Sequence, residues 1–561
     1  MEDNRAVHPS VWSPLLVPVF RALWIASLVA NIGVWMQNVG GVWLMTTLSP
    51  SPVLIALMQT ATSFPVVLLG LPSGALADIV DRRKLLMIGL AIMLIAVSTL
   101  GILTLLGVAT PWLLLALTFV LGLGTALNQP IWQAIMPGLV PRKELSNAVT
   151  LGGVGFNIAR AIGPALGGII VAVIGPGAVF LLNAVMFFIT LVVLIRWQSS
   201  RQSSVLPSER MVGALRAGLR YLQHAPPLQA VLVRLAIFIS CGSALWALLP
   251  LVAVRDLKNL GGLGYGIFLG CLGLGAIVGA LFLSRVRQRL PIDVLVACAT
   301  LVYAATTVAL ALLHLVSVLL VALLVGGMAW LTLTSSFNVS TQLAIPKWVQ
   351  ARALGLYYVV FQGGTALGSV VWGVVADRLG VSLALLCSAI GMVVGLAAVL
   401  RWRLQTSEGL DTTQVWAPWV EPHVLIEERT MDAPVLVTVE YRIDPQQALS
   451  FLEAMRDLHR VRLRDGAIRW GIYVDPFKPE RYVETYVIGS WNEHLRQHER
   501  MTREDQINEE RVRAFHIGEG PPAVSHLIYA TEALVKGVDQ LSSGQRVGGG
   551  VHEHHPRDLH E

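Results

Sequence analysis

The residues of this 561-residue chain that bear on chemistry are polar side chains inside long apolar runs. Arg160 is the clearest of them, and Asn157 lies one helical turn before it. An arginine in such surroundings must contact a carboxylate, carbonyl groups, water or an anionic ligand. Polar or aromatic residues in other runs are candidates to line the same pathway: Asn31, Asn128, Gln129, Trp132, Asn338 and Gln342. For Trp132 and its neighbours, core packing is the alternative. This chemistry is binding, and no residue is predicted to be catalytic.

A short charged turn separates two of the apolar runs. It contains Gly74 and Asp78, followed by the cations Arg82, Arg83 and Lys84. Asp78 can form an ion pair with the neighbouring cations. Because no Asp or Glu stands in the middle of a run, Asp78 is the best remaining candidate to carry a proton, although a gating ion pair with nearby arginines is the favoured role for it.

Small residues mark a later run, where Gly163-Pro164 is followed by Gly167-Gly168. Small side chains let two helices approach closely, and proline weakens the helical hydrogen bonding. The pattern predicts a pliable helix contact, and ordinary close packing would produce it too.

The composition is that of a membrane protein, with 55% hydrophobic residues and a mean hydropathy of +0.65. The net charge of +6 comes from cations in short connections, so it does not indicate nucleic acid. The four cysteines (Cys241, Cys271, Cys298 and Cys387) are isolated in apolar stretches. They predict neither a disulfide framework nor a metal site, and we expect no metal and no cofactor.

Twelve runs are long enough to cross a bilayer, which takes about 20 helical residues. With the amino terminus inside, the cytoplasmic connections carry fifteen Lys and Arg, against three (Arg255, Lys258 and Arg378) on the other side. This asymmetry predicts a protein of the cytoplasmic membrane with both termini in the cytoplasm. The first run is too long for a cleavable signal peptide.

The predicted domains follow from these runs. We expect a six-helix half in residues 1–196, a cytoplasmic linker with an amphipathic helix in 197–227, and a second six-helix half in 228–403. A linker (404–433), a soluble domain (434–531) and a disordered tail (532–561) complete the chain. The fold class is therefore an all-α membrane protein with a C-terminal α+β domain.

The soluble domain has the order βαββαβ of a ferredoxin-like module. Its second helix is predicted over residues 491–515. His494 and His498 lie one turn apart on it, and their charged neighbours favour a solvated face over a metal or substrate site. The module resembles the dimeric α/β-barrel family that includes antibiotic-biosynthesis monooxygenases, which implies dimerisation or regulation.

The charged turn resembles the signature loop between spans 2 and 3 of the major facilitator superfamily. Ile79 and Asp81 depart from that signature. The run of small residues resembles the fifth-span motif of major-facilitator antiporters, with Ala159 replacing a further glycine. Together with the two halves and the soluble module, these motifs resemble a bacterial subgroup of exporters that includes the enterobactin exporter.

The resemblance implies alternating access, with the charged turn as a conformational latch and protons as the coupling ion. The expected substrate is a small siderophore-like or drug-like molecule, exported across the lipid bilayer. Two alternatives remain, which are an enzyme tethered to the membrane through a monooxygenase-like domain and a receptor that transports nothing.

Overall fold

The computed structural model describes residues 12–79, 81–135, 139–141, 144–197, 220–257, 260, 262–346, 350–404, 433–499 and 502–530. The chain forms two compact units. The first unit is made of Met1–Leu215, Pro227–Ala344 and Gln350–Thr406, and the second of Arg216–Pro226, Ile345–Val349 and Ser407–Glu561. The expected linker of 404–433 and tail of 532–561 lie almost entirely outside the described residues.

Twelve long apolar helices build the described part of the first unit, which confirms the predicted spans. They are α1 (Pro18–Leu48), α2 (Pro52–Ile79), α3 (Arg82–Leu105), α4 (Pro111–Ile135), α5 (Leu145–Val173), α6 (Pro176–Arg196), α7 (Pro226–Asp256), α8 (Gly262–Arg287), α9 (Ile292–Leu312), α10 (Val316–Leu343), α11 (Gln350–Leu379) and α12 (Val381–Gly395), the last continued by a 3-10 helix (Leu396–Leu400). Five of the twelve begin with proline, whose missing N–H has no acceptor in the first turn anyway.

The outer surface of these helices suits a lipid environment. On α3, Ile88, Ile95 and Ile102 stand two turns apart and are 52%, 66% and 52% exposed. Such a stripe of large apolar side chains is costly in water and favourable against lipid tails.

Two helix pairs join the halves α1–α6 and α7–α12: α2 packs on α11, and α5 packs on α8. We call the side of the bundle where α1 begins the proximal side and the opposite side the distal side. At the distal part of the α5–α8 pair, a Cβ added to Gly168 would lie 3.1 Å from Gly266 Cα. At the distal part of the α2–α11 pair, a Cβ added to Gly373 would lie 2.6 Å from Ala56 Cβ. The two halves are therefore in backbone-level contact on the distal side.

The second unit contains a four-stranded antiparallel sheet with the spatial order β2-β3-β1-β4. Its strands are β1 (Val435–Arg442), β2 (Ala467–Asp475), β3 (Lys478–Ile488) and β4 (Ala523–Ile528). The helices are α13 (Ala448–Asp465), α14 (Trp491–Glu499) and α15 (Arg503–Arg513). This is the arrangement of the predicted ferredoxin-like module, and Val435 lies opposite both Ile488 and Ile528 in the register.

The predicted single helix over residues 491–515 is wrong, because α14 ends at Glu499 and α15 begins at Arg503. Thr502 starts the new helix with a capping box. Its Oγ1 accepts the Asp505 N–H at 3.3 Å, while Asp505 Oδ2 accepts the Thr502 N–H at 2.9 Å. These reciprocal bonds satisfy two amides that a continuous helix would pair with carbonyls, so the chain restarts there.

The core of the second unit follows strand alternation. Val435, Val437, Val439 and Tyr441 of β1 are buried, and they belong to one cluster with residues of α13 such as Phe451. The described end of the expected amphipathic linker helix, residues 220–224, is helical and belongs to this unit. There the Arg464 guanidinium lies 5.8 Å from the centroid of the Tyr221 ring.

Candidate functional site

Arg160 lies halfway along α5, fifteen residues after its first residue and thirteen before its last. At 1.5 Å per residue it stands about 20 Å from either end of the helix. The other charged residues of the twelve helices lie closer to a helix end. In the folded bundle, Arg160 therefore stands near the middle of its helix, as the sequence predicts.

The Arg160 side chain reaches from the first half to the second. Its Cζ lies 5.7 Å from the centroid of the Trp246 ring on α7, which is within the range of a cation–π interaction. Its Nε and Nη2 are buried and have no hydrogen-bond partner among the described residues. A buried guanidinium nitrogen without an acceptor is unfavourable, so this position is suited to an acceptor that comes from outside the protein.

An aromatic wall surrounds Trp246 in the second half, built around Trp330 of α10. The ring centroid of Trp330 lies 5.3 Å from Trp246, 5.5 Å from Tyr303 and 5.8 Å from Phe238. Phe361 of α11 extends the wall at 6.2 Å from Trp330. The sequence alone does not predict this wall, because its members come from four helices and share no local motif.

Backbone packing holds Arg160 in place. A Cβ added to Gly273 of α8 would lie 3.1 Å from the Arg160 carbonyl oxygen, so α8 passes directly beside it. Asn157 Nδ2 donates to the Gly153 carbonyl at 2.9 Å within its own helix. Asn157 is therefore near Arg160 in sequence, but it supplies no described acceptor to the guanidinium.

The described hydrogen bonds of the other pathway candidates stay within one half. Asn31 Nδ2 donates to the Ser27 carbonyl at 2.7 Å, and Gln342 Nε2 donates to Asn338 Oδ1 at 2.7 Å. Asn128 faces α3, where a Cβ added to Gly89 would lie 2.3 Å from its Oδ1. Trp132 is half-buried, and the side chain of Gln129 lies outside the described residues. Their roles in a pathway remain predictions.

The run of small residues on α5 sits between two other helices. A Cβ added to Gly163 would lie 2.6 Å from Trp35 Cβ, and one added to Gly167 would lie 2.8 Å from the Met36 carbonyl oxygen, both on α1. Gly168 instead faces α8, and the Pro164 carbonyl lies 2.9 Å from a Cβ added to Gly266. The predicted close approach is thus present toward both halves.

The charged turn is described in part. Asp81 caps α3 by accepting the Arg83 N–H at 2.9 Å. Arg83 Nε donates to the Leu194 carbonyl at 3.0 Å, and its Nη2 donates to the Ile195 carbonyl, at the carboxyl end of α6. A cation there meets unpaired carbonyls and the negative end of the helix dipole. The Asp78 side chain and the surroundings of Gly74 lie outside the described residues, so their latch role remains a prediction.

The second half has a buried ion pair near its proximal side. Arg234 of α7 is 5% exposed and pairs with Asp293 of α9. The same Asp293 Oδ1 accepts the Leu404 N–H at 3.2 Å, where the chain leaves the last span. The pair therefore ties α7 and α9 to the end of the membrane unit.

In the second unit, Glu484 is fully buried and fully partnered. It accepts from Tyr441 Oη at 3.1 Å, Trp470 Nε1 at 2.9 Å and Arg462 Nε at 3.3 Å. Burial raises the pKa of the neighbouring Tyr486 to about 12. A carboxylate whose oxygens are all occupied stabilises a core and is poorly placed to accept a substrate proton.

The predicted solvated face of α14 is wrong at His494, which is 1% exposed. Its ring centroid lies 4.7 Å from that of His526 and 5.4 Å from that of Trp491. The reason is spacing, because Trp491, His494 and Gln497 recur every three residues and share the buried face of the helix. The His498 side chain lies outside the described residues, which contain no group of three or more metal-ligating side chains.

A protein-family model and several known transporters match most of this chain. A family model described as a transmembrane secretion effector matches residues 9–533. The chain is 22% identical over 357 residues to the staphyloferrin A transporter of Staphylococcus aureus (strain NCTC 8325 / PS 47), covering 64% of this chain and 89% of that protein. It is 26% identical over 367 residues to the enterobactin exporter of Shigella boydii serotype 4 (strain Sb227), covering 64% and 85%.

A solved structure shares the fold. The inward-facing structure of a bacterial homologue of the iron transporter ferroportin aligns with a TM-score of 0.54 at 16% identity, covering 69% of this chain and 99% of that one. At this identity the likeness concerns the fold alone.

Proposed function

The chain belongs to the transmembrane secretion effector family of major-facilitator transporters, and we propose that it exports a small anionic, siderophore-like molecule across the cytoplasmic membrane by alternating access. One observation carries the substrate class: Arg160 stands between the halves with two buried nitrogens that have no acceptor in the part of the chain that the structure describes. A carboxylate or another planar anion would satisfy both nitrogens at once.

The names of two relatives support this choice of substrate. One is a staphyloferrin A transporter and the other an enterobactin exporter, so siderophores are the first molecules to test. The aromatic wall around Trp330 gives the substrate an apolar surface beside the charge of Arg160. A charged group and a flat apolar group are therefore the two features that we propose for the ligand.

We propose that the two halves rock about this site. The distal contacts at Gly168 and Gly373 close one side of the bundle and would separate when the site opens there. In this scheme the charged turn (Gly74, Asp78, Arg82, Arg83 and Lys84) latches the proximal side. The proximal side is the cytoplasmic side, as the excess of cations in the connections favours.

We propose that the proton-motive force drives export. Protons are the coupling ion that the family resemblance implies, and Asp78 is the remaining carboxylate candidate near a helix end. The four carboxylates within α1–α12 lie no more than two residues from a helix end: Asp78, Asp256, Asp293 and Asp377.

The export assay measures how much of a siderophore stays in cells that express the full chain. Staphyloferrin A and enterobactin are the test molecules, and Arg160→Gln is the variant. Arg401→Gln is the matched control, because it removes an exposed arginine at the end of the last span. We expect lower retention with the unaltered chain and with Arg401→Gln, and higher retention with Arg160→Gln. Equal retention in cells with and without the unaltered chain would refute export of these molecules.

We also propose that the soluble domain dimerises through the sheet face opposite its helices. Because alternate residues of β1 are buried on the helix side, the other face presents Leu436, Val483, Val487, Leu527 and Tyr473, with Leu527 and Tyr473 56% and 63% exposed. Because the domain resembles a dimeric family, we propose that a second copy of this chain covers this sheet face. Mass measurement of the full chain in detergent tests this, with Val487→Arg expected to yield monomers. A monomeric unaltered chain would refute it.

A further inference from the structure

The distribution of charged residues in the membrane helices is unusual for a carrier that exchanges protons. Arg160 is the charged residue that stands at the middle of a described helix. The carboxylates lie at helix ends, and none of the twelve described helices carries a histidine. The buried Arg234 is neutralised by Asp293. The site at the middle of the bundle therefore carries one fixed positive charge and no described group that titrates near neutral pH.

Trp246 lets the empty site keep this charge. The guanidinium lies 5.7 Å from its ring centroid, and the face of an aromatic ring stabilises a nearby cation, more strongly when water is excluded. Arginine does not lose its proton in proteins under ordinary conditions. The empty carrier is therefore cationic at this site in both conformations, and a bound monoanion makes the site neutral.

Alternating access changes the electrical potential at which this charge lies. When the site opens to the cytoplasm, Arg160 is at the potential of the cytoplasm, and when it opens outward, it is at the potential of the outside. The empty carrier thus moves one positive charge across the membrane potential even if the side chain itself moves little. That movement is worth about 2.3 kcal/mol for each 100 mV.

These charges balance over a cycle. The loaded carrier crosses outward with a neutral site, so the potential does not oppose it. The empty carrier returns inward with its positive charge, and an interior negative potential favours that step. One negative charge leaves the cell in each cycle, carried by the substrate.

On the premise of the proposed export function, we infer that export is electrogenic and is driven by the membrane potential through the fixed charge of Arg160, without a counterflow of protons. The proton-motive force then acts through its electrical component. For a monoanion, ~100 mV sustains a concentration ratio of about 50-fold.

Full-length protein in liposomes tests the inference with naphthalenesulfonate, which has one negative charge at neutral pH and a flat aromatic ring. A potassium gradient with valinomycin sets the potential, and buffers set a pH gradient separately. We expect accumulation when the interior is positive, rising about tenfold for each 60 mV, and no accumulation with the pH gradient alone. Accumulation that follows the pH gradient and ignores the potential would overturn the inference.

Exchange of labelled for unlabelled naphthalenesulfonate, with no gradient, separates this inference from the proposed function. Exchange that persists while the potential has no effect refutes electrical coupling and leaves export standing. Absence of exchange refutes the anion site itself. Arg160→Lys keeps the charge and should keep exchange and potential-driven accumulation at lower affinity, whereas Arg160→Gln should lose most of the exchange of the anion. Arg401→Gln is the control and should behave as the unaltered chain.

Discussion

Gly168 on α5 offers a sharp test of how the halves meet. A Cβ at this position would lie 3.1 Å from Gly266 Cα, 3.2 Å from the Gly262 carbonyl oxygen and 3.4 Å from Leu263 Cα. All three neighbours are backbone atoms of α8, so no side-chain rotation can relieve the contact. We predict that Gly168→Leu separates α5 from α8 on the distal side and shifts the protein toward a distally open state.

The size of the shift follows from overpacking. Inserting methylene groups into a packed interface costs about 1–3 kcal/mol. Because each 1.4 kcal/mol changes an equilibrium tenfold, the ratio of open to closed molecules should rise by roughly 5-fold to 150-fold. The matched control is Gly153→Leu on the same helix, since a Cβ there would meet nothing within 4 Å.

Distances between spin labels on the full chain in detergent measure this shift. Labels at Thr110 and Leu315 report on distal connections of opposite halves, because both residues are exposed there. We expect a longer distance population to grow in Gly168→Leu and to stay unchanged in Gly153→Leu. Identical distance distributions in both variants and the unaltered chain would refute the backbone contact as the distal closure.

Three further predictions concern stability. Glu484→Gln removes one of the two carboxylates that pair with the buried Arg462 and leaves Glu509 at 3.6 Å. It should destabilise the second unit by about 1–3 kcal/mol, measured as faster amide exchange of β1 and β3 in the full chain; unchanged exchange would contradict it. Burial lowers the pKa of His526, so the unfolded state binds its proton first and stability should fall as pH drops below about 6.5. His526→Phe should weaken this dependence, and an identical pH profile would argue against it. Arg234→Gln leaves Asp293 without its buried partner and should lower the melting temperature of the detergent-solubilised chain, whereas an unchanged value would mean that water replaces the ion pair.

The membrane fold follows closely from local sequence. Runs of about 20 apolar residues can satisfy their backbone in lipid only as helices, so their length alone predicts the spans. The depth of Arg160 in the membrane can be predicted for the same reason, because its position is found by counting residues along a single apolar run. The close approach at Gly163 and Gly168 is also a local property, because only small residues let helices touch at backbone level.

The remaining features depend on contacts between distant segments. The aromatic wall joins residues of α7, α9, α10 and α11, and no periodicity along one helix reveals it. The burial of His494 differs from the prediction because its charged neighbours in sequence are not its neighbours in space, which are the Trp491 and His526 rings. The break between α14 and α15 is predictable from the sequence, because Thr502 and Asp505 have the spacing of a capping box.

Binding of a matched pair of ligands tests the central claim most directly. Naphthalenesulfonate and the neutral naphthalenesulfonamide share a ring and differ in charge, and calorimetry on the full chain in detergent measures both. An Arg-anion contact is worth about 1.5–3 kcal/mol, so Arg160→Gln should weaken binding of the anion by roughly 10-fold to 150-fold and barely affect the neutral ligand. Equal affinity of the unaltered chain and Arg160→Gln for the anion would contradict the assignment of Arg160 as the substrate-binding cation.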